Sequence, residues 1–140
     1  MKNNIILISH GELSQGMANS AQMIVGKNEN VSYYGLYPGR HPVEIINEIR
    51  EKVEANVDDL YIVVADLFGG SVCNGAMELL QFDNVRLLCG MNLPLVIDLL
   101  ASIDTISDDE ILEKIKMAQD GIRFISNTSL ESGKQDNEFF

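Results

Sequence analysis

The chain has 140 residues, 46 % of them hydrophobic, which suffices for the core of one domain and excludes a disordered chain. Lys and Arg total 10 against 21 Asp and Glu, a formal net charge of -11 that counts against a nucleic-acid backbone as partner. Such acidity keeps a protein soluble and suits a partner with basic residues.

In chain order, Ile5-Ile6-Leu7-Ile8 reads as a strand buried on both faces. It ends at Ser9-His10-Gly11, where an α/β sheet opens its ligand crevice. The spacing of Met17, Ala21, Met23 and Ile24 predicts a helix from Ser14 to Val25, closed by Gly26 as a left-handed cap. The amino end of this helix lies near His10, so its unpaired N–H groups are expected to face an anion there. Val31 to Tyr37 is a second strand, broken by Pro38-Gly39. Pro42 opens a helix with the apolar stripe Ile45, Ile46, Ile49 and Val53.

Leu60 to Asp66 is a third strand, apolar until its last residue. The glycine-rich turn Leu67-Phe68-Gly69-Gly70-Ser71 then leads into a helix from Ser71 to Leu80. Val85 to Cys89 is the fourth strand, and Pro94 opens a short helix through Leu100. Ser107-Asp108-Asp109-Glu110 is a capping-box pattern for a helix that carries Ile111, Leu112, Ile115 and Ala118 and stops at Gly121. Ile122 to Ile125 is a short last strand, placed at an edge where it invites pairing with another chain. The expected domain is 1–126, followed by a polar, loose tail over 127–140.

The alternation of strand and helix predicts an α/β fold, three-layered and doubly wound around a mostly parallel sheet. No signal peptide is expected, because the apolar run after Met1-Lys2-Asn3-Asn4 is too short, and no segment reaches membrane-spanning length. Cys73 and Cys89 lack a CxxC spacing and read as buried free thiols in a reducing, cytoplasmic compartment.

In a parallel sheet the turns after strands one, three and four emerge on one edge, so His10 and Asp66 can meet across a wide sequence gap. A carboxylate on one imidazole nitrogen fixes the tautomer and leaves the other nitrogen's lone pair free to attack. Gly69 and Gly70 let backbone N–H groups approach an anion, the next helix adds its positive end, and Ser71 adds a hydroxyl donor. Gly11 belongs to the same phosphoryl-binding set. Each residue also has a plainer reading: Asp66 and Ser71 as helix or turn caps, Asn92 as a turn residue, and His41 as a solvated loop histidine. No metal or other cofactor is expected, since the chain has two histidines and no clustered ligand spacing.

Four stretches together resemble the mannose-family EIIA domains of the bacterial phosphoenolpyruvate-dependent sugar phosphotransferase system. They are Ser9-His10-Gly11, Tyr37-Pro38-Gly39, Asp66 through Ser71 with Asn74, and Gly90-Met91-Asn92-Leu93-Pro94. The resemblance runs from about Ile5 to Ile125. It implies that His10 takes a phosphoryl group from HPr and passes it to EIIB, with Asp66 orienting His10 and Ser71 contacting the phosphoryl oxygens. It also implies four parallel strands, and a short antiparallel strand at Ile122–Ile125 exchanged in a homodimer. Sugar choice would lie with the membrane components EIIC and EIID. One departure is Val72, where the family has proline.

Three rivals stand beside this reading. A receiver domain phosphorylated on Asp66 would need an acidic pair after strand one, where this chain has Ser9-His10. A nucleotide-binding module would need GxGxxG or a Walker lysine, and neither occurs. The histidine phosphocarrier that serves dihydroxyacetone kinase shares the fold and a Ser-His start; the Gly-Gly-Ser turn favours the sugar-transport branch.

Overall fold

The computed structural model describes residues 1–129; the remainder of the expected tail lies outside the described residues. Its sheet has four strands, β1 (Asn3–His10), β2 (Val31–Leu36), β3 (Leu60–Ala65) and β4 (Val85–Cys89), in the order β2-β1-β3-β4. Every pairing is parallel. The helices are α1 (Leu13–Val25), α2 (Val43–Ala55), α3 (Ser71–Ala76), α4 (Leu93–Ala101) and α5 (Asp108–Asp120).

The two central strands carry the core because alternate residues leave a strand on opposite faces. Ile5, Leu7, Ile62 and Val64 pack with residues of α1, α4 and α5 such as Ala21, Leu99 and Ala118. Ile6, Ile8, Val63 and Ala65 pack on the other face with Ile46, Ile49, Val72 and Leu79, beneath α2 and α3. Both faces are therefore covered, which explains why β1 and β3 read as unbroken apolar runs.

The register positions the site. Ile8 lies opposite Ala65, so β1 runs on through Ser9 and His10 just where β3 gives way to Asp66. The Asp66 N–H donates to the Ile8 carbonyl at 3.1 Å. The chain winds from β1 outward to β2, then crosses back to β3 on the other side of β1. The crevice of such a sheet opens between the carboxyl ends of those two strands.

The helix ends follow local chemistry. Ser107 and Glu110 form the expected reciprocal cap of α5. Asn92 caps α4, accepting from Leu95 N–H at 3.0 Å, rather than serving only as a turn. Gly26 does take a positive φ of 95°, but its ψ of 166° is extended, so α1 does not end in a left-handed helical cap. Helix α3 is shorter than expected and gives way to a 3-10 turn over Met77–Gln81.

The expected fifth strand does not form among the described residues. Residues 122–126 are not part of the sheet formed by the described strands. Ile122, Phe124 and Ile125 are 78 %, 90 % and 50 % exposed. A short apolar segment gains strand geometry only from a strand to pair with, and none of the described strands is placed beside it. Residues 127–129 are helical.

One glycine is dictated by backbone contact. A Cβ on Gly35 would come within 2.2 Å of the Gly11 carbonyl oxygen, whereas one on Gly16, inside α1, would meet nothing. Gly35→Ala should therefore destabilise the protein by about 1 to 3 kcal/mol through forced backbone movement. Gly16→Ala should stabilise it by up to about 1 kcal/mol through helix propensity. Urea unfolding of both variants checks the pair; equal effects would refute the contact.

Candidate functional site

His10 closes β1, and its ring is 48 % exposed, while the Asp66 side chain beside it is 6 % exposed. Asp66 Oδ2 accepts twice from the same residue: from the His10 backbone N–H at 2.8 Å and from Nδ1 at 2.8 Å. The other oxygen, Oδ1, accepts from Leu67 N–H at 2.9 Å. The turn-capping and ring-orienting readings of Asp66 are thus both realised, one on each oxygen. A carboxylate facing Nδ1 makes that nitrogen the proton carrier, so the lone pair resides on Nε2.

Nε2 faces Ser71 Oγ at 3.2 Å. Ser71 is the first helical residue of α3 and Gly70 is its N-cap, so the hydroxyl is directed at the ring rather than spent on capping. Gly69 adopts φ +81°, which glycine takes without strain. Asn74 Nδ2 donates to the Gly69 carbonyl at 3.2 Å and fixes the turn from inside. A Cβ on Gly70 would lie 3.4 Å from His10 Cε1 and 3.2 Å from the Leu67 side chain, so this glycine keeps the ring's flank open. Val72, at the family's proline position, is 1 % exposed and fills the core beneath.

The carboxyl of Asp66 is pulled in two directions. Burial pushes its pKa up, but the backbone and ring donors of His10 and the Leu67 amide outweigh that and leave it below the usual carboxylate range. Behind it, burial and the neighbouring Cys73 thiol push Cys89 up to about 12, so it stays a thiol at neutral pH and is no rival nucleophile. Both cysteines are free; Cys73 is buried and Cys89 half-buried.

The structure brings His10, Asp66, Ser71, Gly69 and Gly70 together, with Gly11 directly after His10 in a positive-φ turn. Of the amino-end N–H groups of α1 expected to face an anion, that of Ser14 is taken by Ser9 Oγ at 2.8 Å and that of Gly16 by the Glu12 carbonyl at 3.0 Å. His41 stays exposed in its loop and accepts from Val43 N–H at 3.2 Å. Sequence reasoning places Ser9 at the strand end without foreseeing its bond to the Ser14 N–H, and it misses one contributor, Gly35, an isolated strand glycine. Such a glycine is the usual signal of close backbone approach. Tyr37, Leu67 and Phe68, on the turns around the site, are 47 %, 49 % and 77 % exposed and give its rim an apolar character.

The model of the EIIA-man family, described as "PTS system fructose IIA component", matches residues 4–116. The sorbose-specific EIIA component of Klebsiella pneumoniae is 30 % identical over 112 residues, which cover 79 % of this chain and 82 % of that protein. The mannose-specific EIIAB component of Escherichia coli (strain K12) is 25 % identical over 91 % of this chain, which spans only 41 % of that protein's length. Among solved structures, the PTS IIA protein associated with the fucose utilization operon of Streptococcus pneumoniae is similar with a TM-score of 0.77 at 32 % identity, covering 89 % of this chain and 93 % of that one. The mannose/sorbose-specific IIA subunit from Enterococcus faecalis gives 0.80 at 25 % identity, covering 90 % and 96 %.

The lowered pKa of Asp66 has a sign that can be measured. A carboxyl whose folded value lies below its unfolded value of about 3.9 stabilises the fold fully above that value and loses the contribution as pH falls through its own, lower one. Wild type should exceed Asp66→Asn in stability at about pH 6, and the gap should close on acidification below about pH 4. Denaturant unfolding across that range reads it, and a gap that stays constant would contradict an ionised Asp66.

Proposed function

The chain belongs to the mannose-type EIIA family of the sugar phosphotransferase system, and on that premise we propose that it is a phosphocarrier with His10 as the covalent acceptor. The donor is phospho-HPr and the acceptor an EIIB partner, which hands the group on to sugar bound by the membrane components EIIC and EIID. The hydrogen-bonded row Asp66–His10–Ser71 beside a glycine turn carries this reading.

The chemistry follows from that row. The Nε2 lone pair attacks phosphorus; the donor's P–N bond breaks as the new one forms, and the pair of electrons returns to the donor imidazole. The His10 ring gains positive charge while Nδ1 keeps its proton, and the ionised Asp66 offsets that charge at hydrogen-bond distance. Ser71 turns its hydroxyl from Nε2 to a phosphoryl oxygen. The first-turn amides of α3 and the glycines after Asp66 and His10 supply further donors. Transfer of this type needs positioning and charge stabilisation above all. Asp66 is ill suited to be the phosphoacceptor of a receiver-like domain, because both its oxygens are engaged. Among the described residues no helix is long and apolar enough to cross a membrane. The proposed place of work is the cytoplasm.

The exposed Ile122, Phe124 and Ile125, together with the outer edge of β4, support a homodimer in which this segment pairs with a second copy. Sedimentation should give about twice the chain mass, and Ile122→Asp with Phe124→Asp should shift it toward the single chain. A wild-type protein that sediments as one chain would end this part of the proposal.

Labelled phosphoenolpyruvate with Enzyme I and HPr should label wild type and His41→Ala but not His10→Ala. The label should be lost in acid and survive base. Labelling of His10→Ala, or a base-labile label, would overturn the assignment.

A further inference from the structure

Ser9 has no part in the chemistry above, yet it is one of the few buried polar residues of the core, at 0 % exposure. Its hydroxyl is matched on both sides. Oγ accepts from the Ser14 N–H at 2.8 Å and donates to the Gly11 carbonyl at 3.4 Å. Helix α1 has Glu12 at its N-cap without any side-chain cap bond. Ser9 supplies from the strand the acceptor that a capping residue would otherwise give.

The turn between β1 and α1 is thereby fixed at three points. The Gly11 N–H donates to Leu36 of β2 at 2.7 Å. The Gly11 carbonyl packs over Gly35, with no room there for a Cβ. The Ser9 hydroxyl holds both that carbonyl and the start of α1. His10 sits between these anchors, and its two donors converge on a single oxygen of Asp66 at 2.8 Å each. Two bonds to one acceptor tolerate little displacement of the backbone between them. If the turn shifts, the ring bond lengthens, Nδ1 loses its reason to hold the proton, and the lone pair no longer resides on Nε2.

We propose that Ser9 is a positioning residue for His10, locking the β1–α1 turn so that the backbone N–H and Nδ1 reach the same oxygen of Asp66. The proposal rests on His10 being the phosphoryl acceptor, but its physical content is the tautomer of an imidazole, which can be read without any transfer.

Nitrogen-15 spectra of the histidine rings and transfer rates from phospho-HPr test it in Ser9→Ala, Ser9→Cys and Ser14→Ala. Cysteine roughly keeps the volume but bonds weakly, so it reports on the hydroxyl even if the alanine variant fails to fold. Wild-type His10 should be protonated on Nδ1. Both Ser9 variants should show a mixed tautomer and transfer slower by on the order of tenfold to a hundredfold. Ser14→Ala removes the bond to the Tyr34 carbonyl but keeps the amide that Ser9 binds. It should lower the unfolding temperature and leave the tautomer as in wild type. Ser9 variants with a wild-type tautomer, or a Ser14→Ala protein shifted as far as they are, would overturn the proposal. If wild type takes up no phosphoryl group, the function proposed above fails, while the tautomer comparison still decides the role of Ser9.

Discussion

One oxygen of Asp66 takes two hydrogen bonds from His10, and the site depends on that shared acceptor. The backbone bond fixes where His10 lies; the ring bond fixes which way it faces and which nitrogen keeps the proton. Neither is local in sequence, since 56 residues separate the partners. The parallel register makes the meeting automatic: Ile8 opposite Ala65 leaves the next residues of each strand side by side at the sheet's edge. The core pays for the geometry. Ile5 through Ile8 and Leu60 through Ala65, all buried, pin the two strands so that a carboxylate can be held at low exposure by the donors of His10 and Leu67.

Much of this was legible in the sequence. Apolar runs ending in a polar residue identified β1 and β3, and the capping box located the start of α5. Asp66 and His10 could be paired because parallel strands deliver their carboxyl ends to one edge. What sequence did not resolve was which group satisfies which. Ser71 read both as a hydroxyl donor at the site and as a helix cap; Gly70 takes the cap position and leaves the hydroxyl for Nε2. The cap of α1 was invisible because its acceptor comes from Ser9, five residues upstream in a strand, and not from the N-cap residue Glu12. Local patterns encode helix ends well only when the partner is local. The segment at Ile122–Ile125 shows the complementary limit: its composition is that of a strand, but pairing needs an edge, and none of the described strands lies beside it.

The two cysteines and Val72 clarify what lies behind the site. Cys73, Val72 and Ala76 are buried on the inner side of α3, so this short helix is anchored by packing. Its first residue can then present a hydroxyl outward at a fixed height over the ring. Proline at residue 72 would stiffen the backbone of that turn; valine fills the core at the same point, and the Asn74 bond to the Gly69 carbonyl restrains the loop.

On the proposed reading, the order of groups along the row would bear on the lifetime of a phosphorylated His10. The carboxylate touching the imidazole sits on the Nδ1 side with both oxygens occupied, while Nε2 faces the Ser71 hydroxyl at 3.2 Å on a side chain that is 48 % exposed. Water approaching a group on Nε2 would lie across the ring from the carboxylate that could activate it. On the phosphocarrier reading proposed above, the arrangement would separate the group that offsets the charge of the ring from the place where hydrolysis begins, and a phosphoryl bond on Nε2 would outlast the interval between two protein encounters.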